Sequence, residues 1–400
     1  MKVIVFNCGS SSIKYQLFEM PEGKVMAKGI VQRIGERLSE AKQTTEKHEI
    51  NMELKVPDHH EGMAIISKML TDPEKGAIKS MSEIDACGHR VVHGGEAFTG
   101  SVLIDEKVEQ EIERHCPLAP LHNPANLIGI RESRKLLPGV PQIACFDTAF
   151  HQTIPEVAYT YALPRHMYEQ ARIRRYGFHG ISHRYVSRRV AELLNMHKYA
   201  VNLITCHLGN GCSITAVKEG KSVDTSMGLT PLEGLVMGTR TGDIDPAIIF
   251  YLVRQGYEPS KLDTIFNKQS GLLGLSGISN DVRDLEQKAD EGHKLARLAL
   301  EVFAYRVKKY IGAYLAVLNG CHAIVFTGGI GENGYKMRKR IINNMQYLGL
   351  ELDDSKNMIM VNGKEGEIQS PQAKIKIFVI HTDEERAIAN DTYLLATKQG

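Results

Sequence analysis

Two short polar turns have compositions suited to holding phosphate groups. The first, residues 7–12, reads NCGSSS and is followed by Lys14; the second, residues 207–213, reads HLGNGCS. Backbone amides and hydroxyls in tight turns can surround phosphate oxygens, and a nearby lysine adds positive charge. Neither turn has the GxxxxGK[ST] spacing, which excludes a P-loop. A plain polar hairpin turn is an equal alternative for the first turn alone, and the second copy favours phosphate binding.

A third candidate segment is glycine-rich. Residues 328–333 read GGIGEN, follow a short apolar run at 323–327 and precede a predicted helix at 334–344. Glycines let a backbone approach a flat or anionic ligand closely, although such runs also serve as plain tight turns. The spacing is not GxGxxG, so it indicates a nucleotide pocket without the dinucleotide fingerprint.

Two arginines and two acids complete the polar candidates. Arg90 and Arg240 are flanked by glycines, and a guanidinium in such a loop suits bidentate capture of carboxylate or phosphate. Asp147 and Glu384 follow strand-like runs, where carboxylates can hold Mg²⁺ or orient a reacting group. Surface ion pairs are the alternative for the arginines. Helix N-capping is an equally good alternative for the acids.

Sixteen histidines include two pairs spaced four residues apart, His89 with His93 and His179 with His183. This spacing can seat zinc on a helix, but glycines interrupt or flank both segments and no third ligand is evident. We expect hydrogen-bonding histidines at a polar site, with satisfied core histidines as the alternative for any single one.

The elements that must position these residues alternate between strand and helix. Apolar runs at 3–6 and 13–18 enclose the first turn, and runs at 201–206 and 214–217 enclose the second, so a hairpin opens each half of the chain. Such an internal repeat predicts a duplicated fold. Further elements are predicted in the following segments: strands at 142–146, 323–327 and 375–380, and helices at 186–194 and 295–318.

Composition excludes several classes of protein. The 400 residues favour two domains, and 49 Lys+Arg against 47 Asp+Glu give a net charge of +2. We therefore expect neither a nucleic-acid partner nor an anionic membrane surface. The longest apolar run, residues 247–253, is too short to span a membrane. The apolar stretch at the N-terminus is also too short for a signal peptide. Seven scattered cysteines without CxxC predict reduced thiols in the cytoplasm.

Taken together, the motifs resemble the acetate kinase family over residues 1 to about 390. The matching segments are NCGSSSIKYQLF, GHRVVHGGE, LAPLHNPAN, FDTAFHQT, RRYGFHGISHRYV, CHLGNGCSITAV, DTSMGLTPLEGLVMGTRTGDIDP, TGGIGENG and HTDEERAIA. The resemblance implies an α/β, duplicated actin-like (ribonuclease H-like) ATPase fold with two domains around a central cleft. The implied N-terminal domain spans residues 1–150, completed by a C-terminal helix at about 385–400. Residues 151–384 would form the C-terminal domain with the nucleotide site.

The resemblance also implies an activity and its partners. A homodimer would transfer the γ-phosphoryl group of ATP to acetate reversibly and in line, giving acetyl phosphate and ADP, with Mg²⁺ that Mn²⁺ can replace. A propionate or butyrate kinase of the same family is the nearest alternative, since one methylene is worth only about 1–3 kcal/mol of discrimination. A non-catalytic actin-like ATP-binding scaffold is a remote one.

Residue roles follow from the same resemblance. Asp147, His179 and Arg240 would be catalytic, with Asp147 orienting groups because a carboxylate acceptor needs no strong base. Arg90 would bind the acetate carboxylate, and Asn7 and Glu384 would bind Mg²⁺. The methyl pocket would be Val92, Leu121, Phe178 and Pro231. The nucleotide would be contacted by Lys14, Ser10, Ser12, His207, Leu208, Gly209, Asn210, Gly211, Asp281, Val282, Arg283, Gly329, Ile330, Gly331, Glu332 and Asn333.

Three positions depart from the family pattern. Cys8 and Gly328 stand where alanine is common or frequent, and His381 stands where proline often occurs. None has an implied chemical role, but we expect Cys8 to make the first phosphate turn sensitive to thiol reagents.

Overall fold

A computed structural model describes residues 1–120 and 122–398. The strands, numbered along the chain within these residues, are β1 (Lys2–Gly9), β2 (Ser12–Glu19), β3 (Lys24–Gln32), β4 (Ser39–Thr45), β5 (Glu49–Leu54), β6 (Ala86–Val91), β7 (Val102–Leu103), β8 (Gln142–Phe146), β9 (Leu203–Leu208), β10 (Cys212–Lys218), β11 (Lys221–Thr225), β12 (Ala323–Thr327), β13 (Gly366–Glu367) and β14 (Lys376–Val379).

The helices are numbered in the same way. They are α1 (His59–Leu70), α2 (Glu106–Arg114), α3 (Asn123–Leu136), α4 (Glu156–Tyr159), α5 (Arg165–Ala171), α6 (Gly180–Leu193), α7 (Ala247–Arg254), α8 (Pro259–Lys268), α9 (Gly271–Ser276), α10 (Val282–Asp290), α11 (Lys294–Leu318), α12 (Gly328–Asn333), α13 (Tyr335–Ile342), α14 (Asp354–Ile359) and α15 (Glu384–Ala396). In the described part of the chain, no helix combines the length and apolarity needed to cross a membrane.

The chain divides into two compact units. Unit 1 contains Met1–Gln152 and the residues from Asp383 onward, and unit 2 contains Thr153–Thr382. Unit 1 is built on a sheet of order β5-β4-β3-β2-β1-β6-β8-β7, in which β1, β6 and β8 are parallel and β1 to β5 form an antiparallel meander.

The two faces of the unit 1 sheet are covered by different helices. Neighbouring residues of a strand point to opposite faces, so Cys8 lies on the face packed by α3, where it approaches Gly129. The other face carries α15, whose Ile388 and Thr392 lie against Gly88. Val5 and Gly88 are paired in register on neighbouring strands. Residues two positions further along each strand point to the same face, so Asn7 and Arg90 both lie on the face that carries α15.

Unit 2 repeats the core of this arrangement. Its sheet has the order β11-β10-β9-β12-β14-β13, with β9, β12 and β14 parallel and β9, β10 and β11 antiparallel. The strand order β11-β10-β9-β12-β14 corresponds to β3-β2-β1-β6-β8 of unit 1. The predicted duplication of an α/β fold is confirmed, and so are the two hairpins that open the copies.

The glycine-rich segment forms a helix, and other predicted elements shift in their bounds. Residues 328–333, for which a plain tight turn is the alternative, form α12, because buried side chains satisfy the helix ends, as described below. The helix expected at 334–344 is the shorter α13, and the helix expected at 186–194 begins at Gly180. Strands β8 and β12 have the predicted bounds.

Candidate functional site

In unit 1 the first candidate phosphate turn, residues 7–12, contains a two-residue connection between β1 and β2. Gly9 is paired with Ser12 and Asn7 with Lys14, so Ser10 and Ser11 form the tip. His59 Nε2 donates to the Gly9 carbonyl at 2.7 Å. These contacts hold the turn while Ser10 and the Lys14 side chain stay exposed.

Asn7 and Arg90 lie on the face of the sheet that carries α15, because they are two residues beyond Val5 and Gly88. Arg90 Nη2 and Nε donate to the two carboxylate oxygens of Asp147 at 2.7 and 3.2 Å. Arg90 Nε also lies 3.5 Å from Glu384, the first residue of α15. The fold thus brings Arg90, Asp147 and Glu384 into one ion cluster, and the alternative of an exposed surface ion pair is wrong for Arg90.

Burial and the neighbouring charges oppose each other in this cluster. Burial lowers the pKa of Arg90, but Asp147 and Glu384 together raise it by more, so the net shift is upward. The pKa of Glu384 is raised, first by burial and also by the charge of Asp147, although Arg90 opposes the shift. Two carboxylates therefore share one guanidinium, and the cluster has the composition to receive another cation.

The alternative that the two acids are helix caps is wrong. Asp383 caps α15, because its carboxylate accepts from the Arg386 amide at 2.9 Å, and Glu384 is the next residue. Asp147 follows β8, is 1% exposed, and uses its carboxylate on Arg90.

The remaining unit 1 candidate is Val92, which is 6% exposed and directly follows β6. Its amide donates to Asn126 Oδ1 at 3.1 Å, and Asn126 Nδ2 donates to the Cys8 carbonyl. Asn126 therefore links the methyl-pocket candidate Val92 to the turn at residues 7–12. Sequence analysis missed Asn126, although it stands in the quoted motif LAPLHNPAN. Leu121 lies outside the described residues.

In unit 2, His179 precedes α6 with a φ of 54°, a left-handed conformation that is uncommon outside glycine. Its Nδ1 is hydrogen-bonded to Ser213 Oγ at 2.9 Å, and the same oxygen is 2.7 Å from His183 Nε2. His183 Nδ1 in turn is 2.7 Å from Thr205 Oγ1. The imidazole of His179 also stacks on that of His207 at 4.2 Å. This network fixes His179, and Ser213 is a member that sequence analysis did not identify as a partner of His179.

Arg240 lies beside this histidine. A Cβ built on Gly211 would lie 3.5 Å from the His179 ring and 3.6 Å from Arg240 Nη1. Arg240 Nη1 donates to the Pro231 carbonyl at 3.2 Å, and burial lowers the pKa of Arg240. No carboxylate of the described residues lies within 4.0 Å of this guanidinium. A largely buried cation, a histidine and the turn at 207–211 therefore share one site that can accept an anion.

The segments expected to frame the adenosine adjoin this turn. Asn280 Nδ2 donates to Asn210 Oδ1 at 3.0 Å. The next residue, Asp281, caps α10 and pairs with Arg283 at 2.6 Å on the surface. Val282 is 5% exposed and packs inward.

The third nucleotide segment is α12 itself. Gly329, Ile330 and Asn333 are at least partly accessible, and Gly331 is buried. Glu332 is 7% exposed, and its carboxylate accepts from the Gly328 and Thr382 amides at 3.0 and 3.1 Å. The Glu332 side chain is therefore engaged within the protein, and what α12 offers to a ligand is its accessible backbone and the side chains of Ile330 and Asn333.

The histidine pairs make hydrogen bonds. His89 and His93 are only 2% and 0% exposed, so for this pair the alternative of buried core histidines holds. His89 Nε2 is 2.6 Å from Gln142 Oε1, and burial lowers the pKa of His89 to about 4. His93 Nδ1 accepts from the Gly95 amide. Within the described ranges no cluster of three or more His, Cys, Asp or Glu side chains could hold a metal ion.

The expectation for Cys8 is wrong. The side chain is 3% exposed and belongs to the core beneath the sheet, where burial raises the thiol pKa to about 12. Only a thiolate reacts readily, so this thiol is inert in the folded protein. The alternating pattern of β1 points residue 8 away from the face that carries Asn7.

These observations define an α/β protein of the duplicated actin-like ATPase class. The family model described as the acetokinase family matches residues 2–390, and the chain belongs to this family. It is 54% identical over 404 residues to an acetate kinase of Thermotoga maritima and 55% identical over 395 residues to one of Thermoanaerobacter pseudethanolicus. These alignments cover 100% and 98% of both chains, respectively.

Solved structures agree with this assignment. The Porphyromonas gingivalis acetate kinase has a TM-score of 0.93 and 47% identity to the chain. A propionate kinase from Francisella tularensis subsp. tularensis has a TM-score of 0.93 and 44% identity. Each comparison covers 98% of this chain and 99% of the other. The predicted fold class and the predicted class of enzyme, a phosphotransferase with a carboxyl acceptor, are confirmed.

Proposed function

We propose that the protein transfers the γ-phosphoryl group of ATP to acetate, reversibly, giving acetyl phosphate and ADP. The observation that carries this proposal is Arg240, a largely buried guanidinium without a carboxylate partner among the described residues, beside His179 and the turn at 207–211. Phosphoryl transfer depends on positioning and on stabilising charge. Arg240 and His179 would stabilise charge on the transferred group, and unit 2 would be the nucleotide-carrying domain.

The acceptor acetate would be bound through Arg90. Asp147 accepts hydrogen bonds from the Nε–H group and from one N–H bond of Nη2 of this side chain. The N–H bonds of Nη1 and the second one of Nη2 can therefore donate to the acetate carboxylate. Val92, two residues beyond Arg90, would contact the acetate methyl group. Because a carboxylate needs no deprotonation at neutral pH, Asp147 would orient Arg90, and transfer would occur directly between the substrates.

The acids and amides of unit 1 fit Mg²⁺, which prefers hard oxygen ligands. Asn7 lies on the α15 face, and the partly buried Glu384 carries a raised pKa that a cation would counteract. These two residues would hold Mg²⁺, or Mn²⁺ in its place. When bound, the metal neutralises charge on the phosphate oxygens, and Lys14 adds to this on the ATP side.

An acetohydroxamate assay with ATP, Mg²⁺ and acetate, propionate or butyrate tests the function. We expect the largest kcat/KM with acetate and a lower value with propionate. The likeness to the Francisella propionate kinase makes propionate kinase the second candidate, and a larger kcat/KM with propionate would favour it. Hydroxamate formation with none of the acids would contradict the proposal.

We also propose that the protein is a homodimer in the cytoplasm. Helix α7 exposes Phe250, Tyr251 and Val253 at 63%, 57% and 43%, and burying such a patch against a second copy would remove it from water. Phe250→Glu should then give a monomer by light scattering at micromolar concentration. Val157→Glu, at a position 88% exposed in unit 2, is the control and should stay dimeric. A monomeric wild type would contradict the proposal.

A further inference from the structure

Helix α12 is too short to be stable by itself. It has six residues, whereas isolated helices shorter than about 12–15 residues are marginal in water. Its first amides and last carbonyls lack partners within the helix. The two ends of α12 are instead bonded to buried charged side chains, Glu332 at the first turn and Arg338 at the last.

Arg338 is 0% exposed and bonds to carbonyl and amide oxygens. Its Nη1 donates to the carbonyls of Gly331 and Glu332 at 2.8 and 2.7 Å, at the end of α12. Its Nη2 donates to the carbonyls of Asn357 and Met360, and its Nε to Asn357 Oδ1. No carboxylate of the described residues pairs with it, and burial lowers its pKa to about 10.

A buried guanidinium without a carboxylate is costly. Packing alone would be served better by an apolar side chain of similar volume, such as methionine. What an apolar side chain cannot do is bond the carbonyls of α12. The chemistry of Arg338 is therefore matched to holding the end of this helix in place.

Glu332 holds the other end. Its carboxylate accepts from the Gly328 amide, which begins α12, and from the Thr382 amide and His381 Nδ1. Thr382 Oγ1 is 2.7 Å from Ser182 Oγ, which is 2.8 Å from His207 Nδ1. A continuous chain of hydrogen bonds thus links α12 to the first residue of the phosphate turn at 207–211.

We infer that Arg338 and Glu332 are positioning residues that clamp α12 in register with the phosphate turn and so set the affinity for adenine nucleotides. The inference rests on the proposed function, because that function gives α12 its role in framing the adenosine. Neither side chain is needed to touch the nucleotide. They fix the backbone that does, and a displacement of about 1 Å at such a backbone can cost an enzyme about 10²-fold in rate.

The test compares four variants of the full chain with Arg340→Met as a matched control. Arg340 lies on the same helix as Arg338, but its partners are Glu286 and Glu301, away from α12. We expect Arg338→Met to raise the Kd of ADP and the KM of ATP at least about tenfold, with little change in the KM of acetate. Arg338→Lys should recover part of this loss, because an ammonium can still donate to both α12 carbonyls.

Glu332→Ala should weaken ADP binding as Arg338→Met does, and Glu332→Gln should weaken it less, because the amide oxygen can still accept from Gly328. The inference is overturned if Arg338→Met and Arg340→Met bind ADP with equal affinity. This holds whether the affinity of both variants is lower than that of the wild type or unchanged. If Arg338→Met does not fold, then Arg338→Lys, Glu332→Ala and Glu332→Gln are compared with Arg340→Met by the same criterion. ADP binding is measured without acetate, so the result holds even if the proposed acceptor is wrong.

Discussion

Asp147 accepts two hydrogen bonds from Arg90, through Nη2 at 2.7 Å and Nε at 3.2 Å. The pair joins the ends of the parallel neighbours β6 and β8, so residues 57 positions apart in the sequence share one orientation. A bidentate pair of this kind fixes the plane of the guanidinium. The orientation of the remaining donors of Arg90, on Nη1 and Nη2, is thereby fixed before any substrate binds.

Arg90→Ala should raise the KM of acetate and leave the KM of ATP nearly unchanged. A hydrogen bond to a charged group contributes about 2 kcal/mol, which is about 30-fold in KM at about 1.36 kcal/mol per decade. Steady-state kinetics with each substrate varied measures both constants. Because this change leaves Asp147 buried without a partner, the double variant with Asp147→Asn is the control for folding. An unchanged KM for acetate would remove Arg90 from the acceptor site.

Arg240→Ala should act on kcat, because we expect this side chain to bind the transferring group more tightly in the transition state. Removal of a transition-state arginine lowers kcat by about 10³-fold or more, or about 4 kcal/mol. Arg283→Ala, at an exposed position of the same unit, should have a far smaller effect on kcat. A kcat of Arg240→Ala close to that of the wild type contradicts the assignment.

Glu384→Ala should impair Mg²⁺-dependent activity much more than folding. The side chain is 16% exposed and lies near Asp147, and its raised pKa indicates that the charge is disfavoured there without a cation. Activity titrated with Mg²⁺ should show a higher half-saturating concentration, while the melting temperature stays close to that of the wild type. Near-normal activity at low Mg²⁺ would exclude Glu384 as a ligand.

Gly328→Ala should destabilise the protein. Gly328 has a φ of +74°, and an added Cβ would lie 2.8 Å from the Leu208 carbonyl oxygen. Strain of this kind costs about 1–3 kcal/mol. Gly139→Ala is the matched control, because its φ is +80° but no atom lies within 4 Å of the added Cβ. Denaturant unfolding should give a larger loss for position 328, and equal losses would show that the contact with Leu208 is unimportant.

The stabilising effect of the Glu332 charge should depend on pH. Burial raises the pKa of Glu332, but His381 and the amides of Thr382 and Gly328 lower it more, so it lies below the ordinary value of 4.5. Its contribution is therefore present above pH 4.5 and is lost as the pH falls through the lower folded value. The difference in unfolding free energy between wild type and Glu332→Gln should shrink on acidification.

Glu286 provides the opposite case as a control. Burial raises the pKa of Glu286 above 4.5, so the folded protein favours its protonated form. The contribution of Glu286 to the free energy of unfolding is therefore present at low pH and is lost as the pH rises from 4.5 through the raised value. The wild-type advantage over Glu286→Gln should therefore decrease towards neutral pH. The same sign of pH dependence for both variants would contradict this account of Glu332.

The sequence by itself determined the duplication, the hairpins and the family, because these features are encoded locally. The polar turns at 7–12 and 207–213 and their flanking apolar runs are visible in single segments. Strand alternation even orients them: with Asn7 facing one side of β1, Cys8 must face the other.

Only the tertiary structure decided the partners of the charged groups. Asp147 and Arg90 are far apart in sequence and meet because β6 and β8 are neighbours in the sheet. Helix α12 could not be predicted from GGIGEN, since glycine disfavours helix and the groups that stabilise its ends come from tertiary contacts with Arg338 and the inward-facing Glu332. Long-range hydrogen bonds of this kind leave no local pattern. They determine which ionisable groups of the described residues already have a charged partner and which, like Arg240, have no carboxylate beside them.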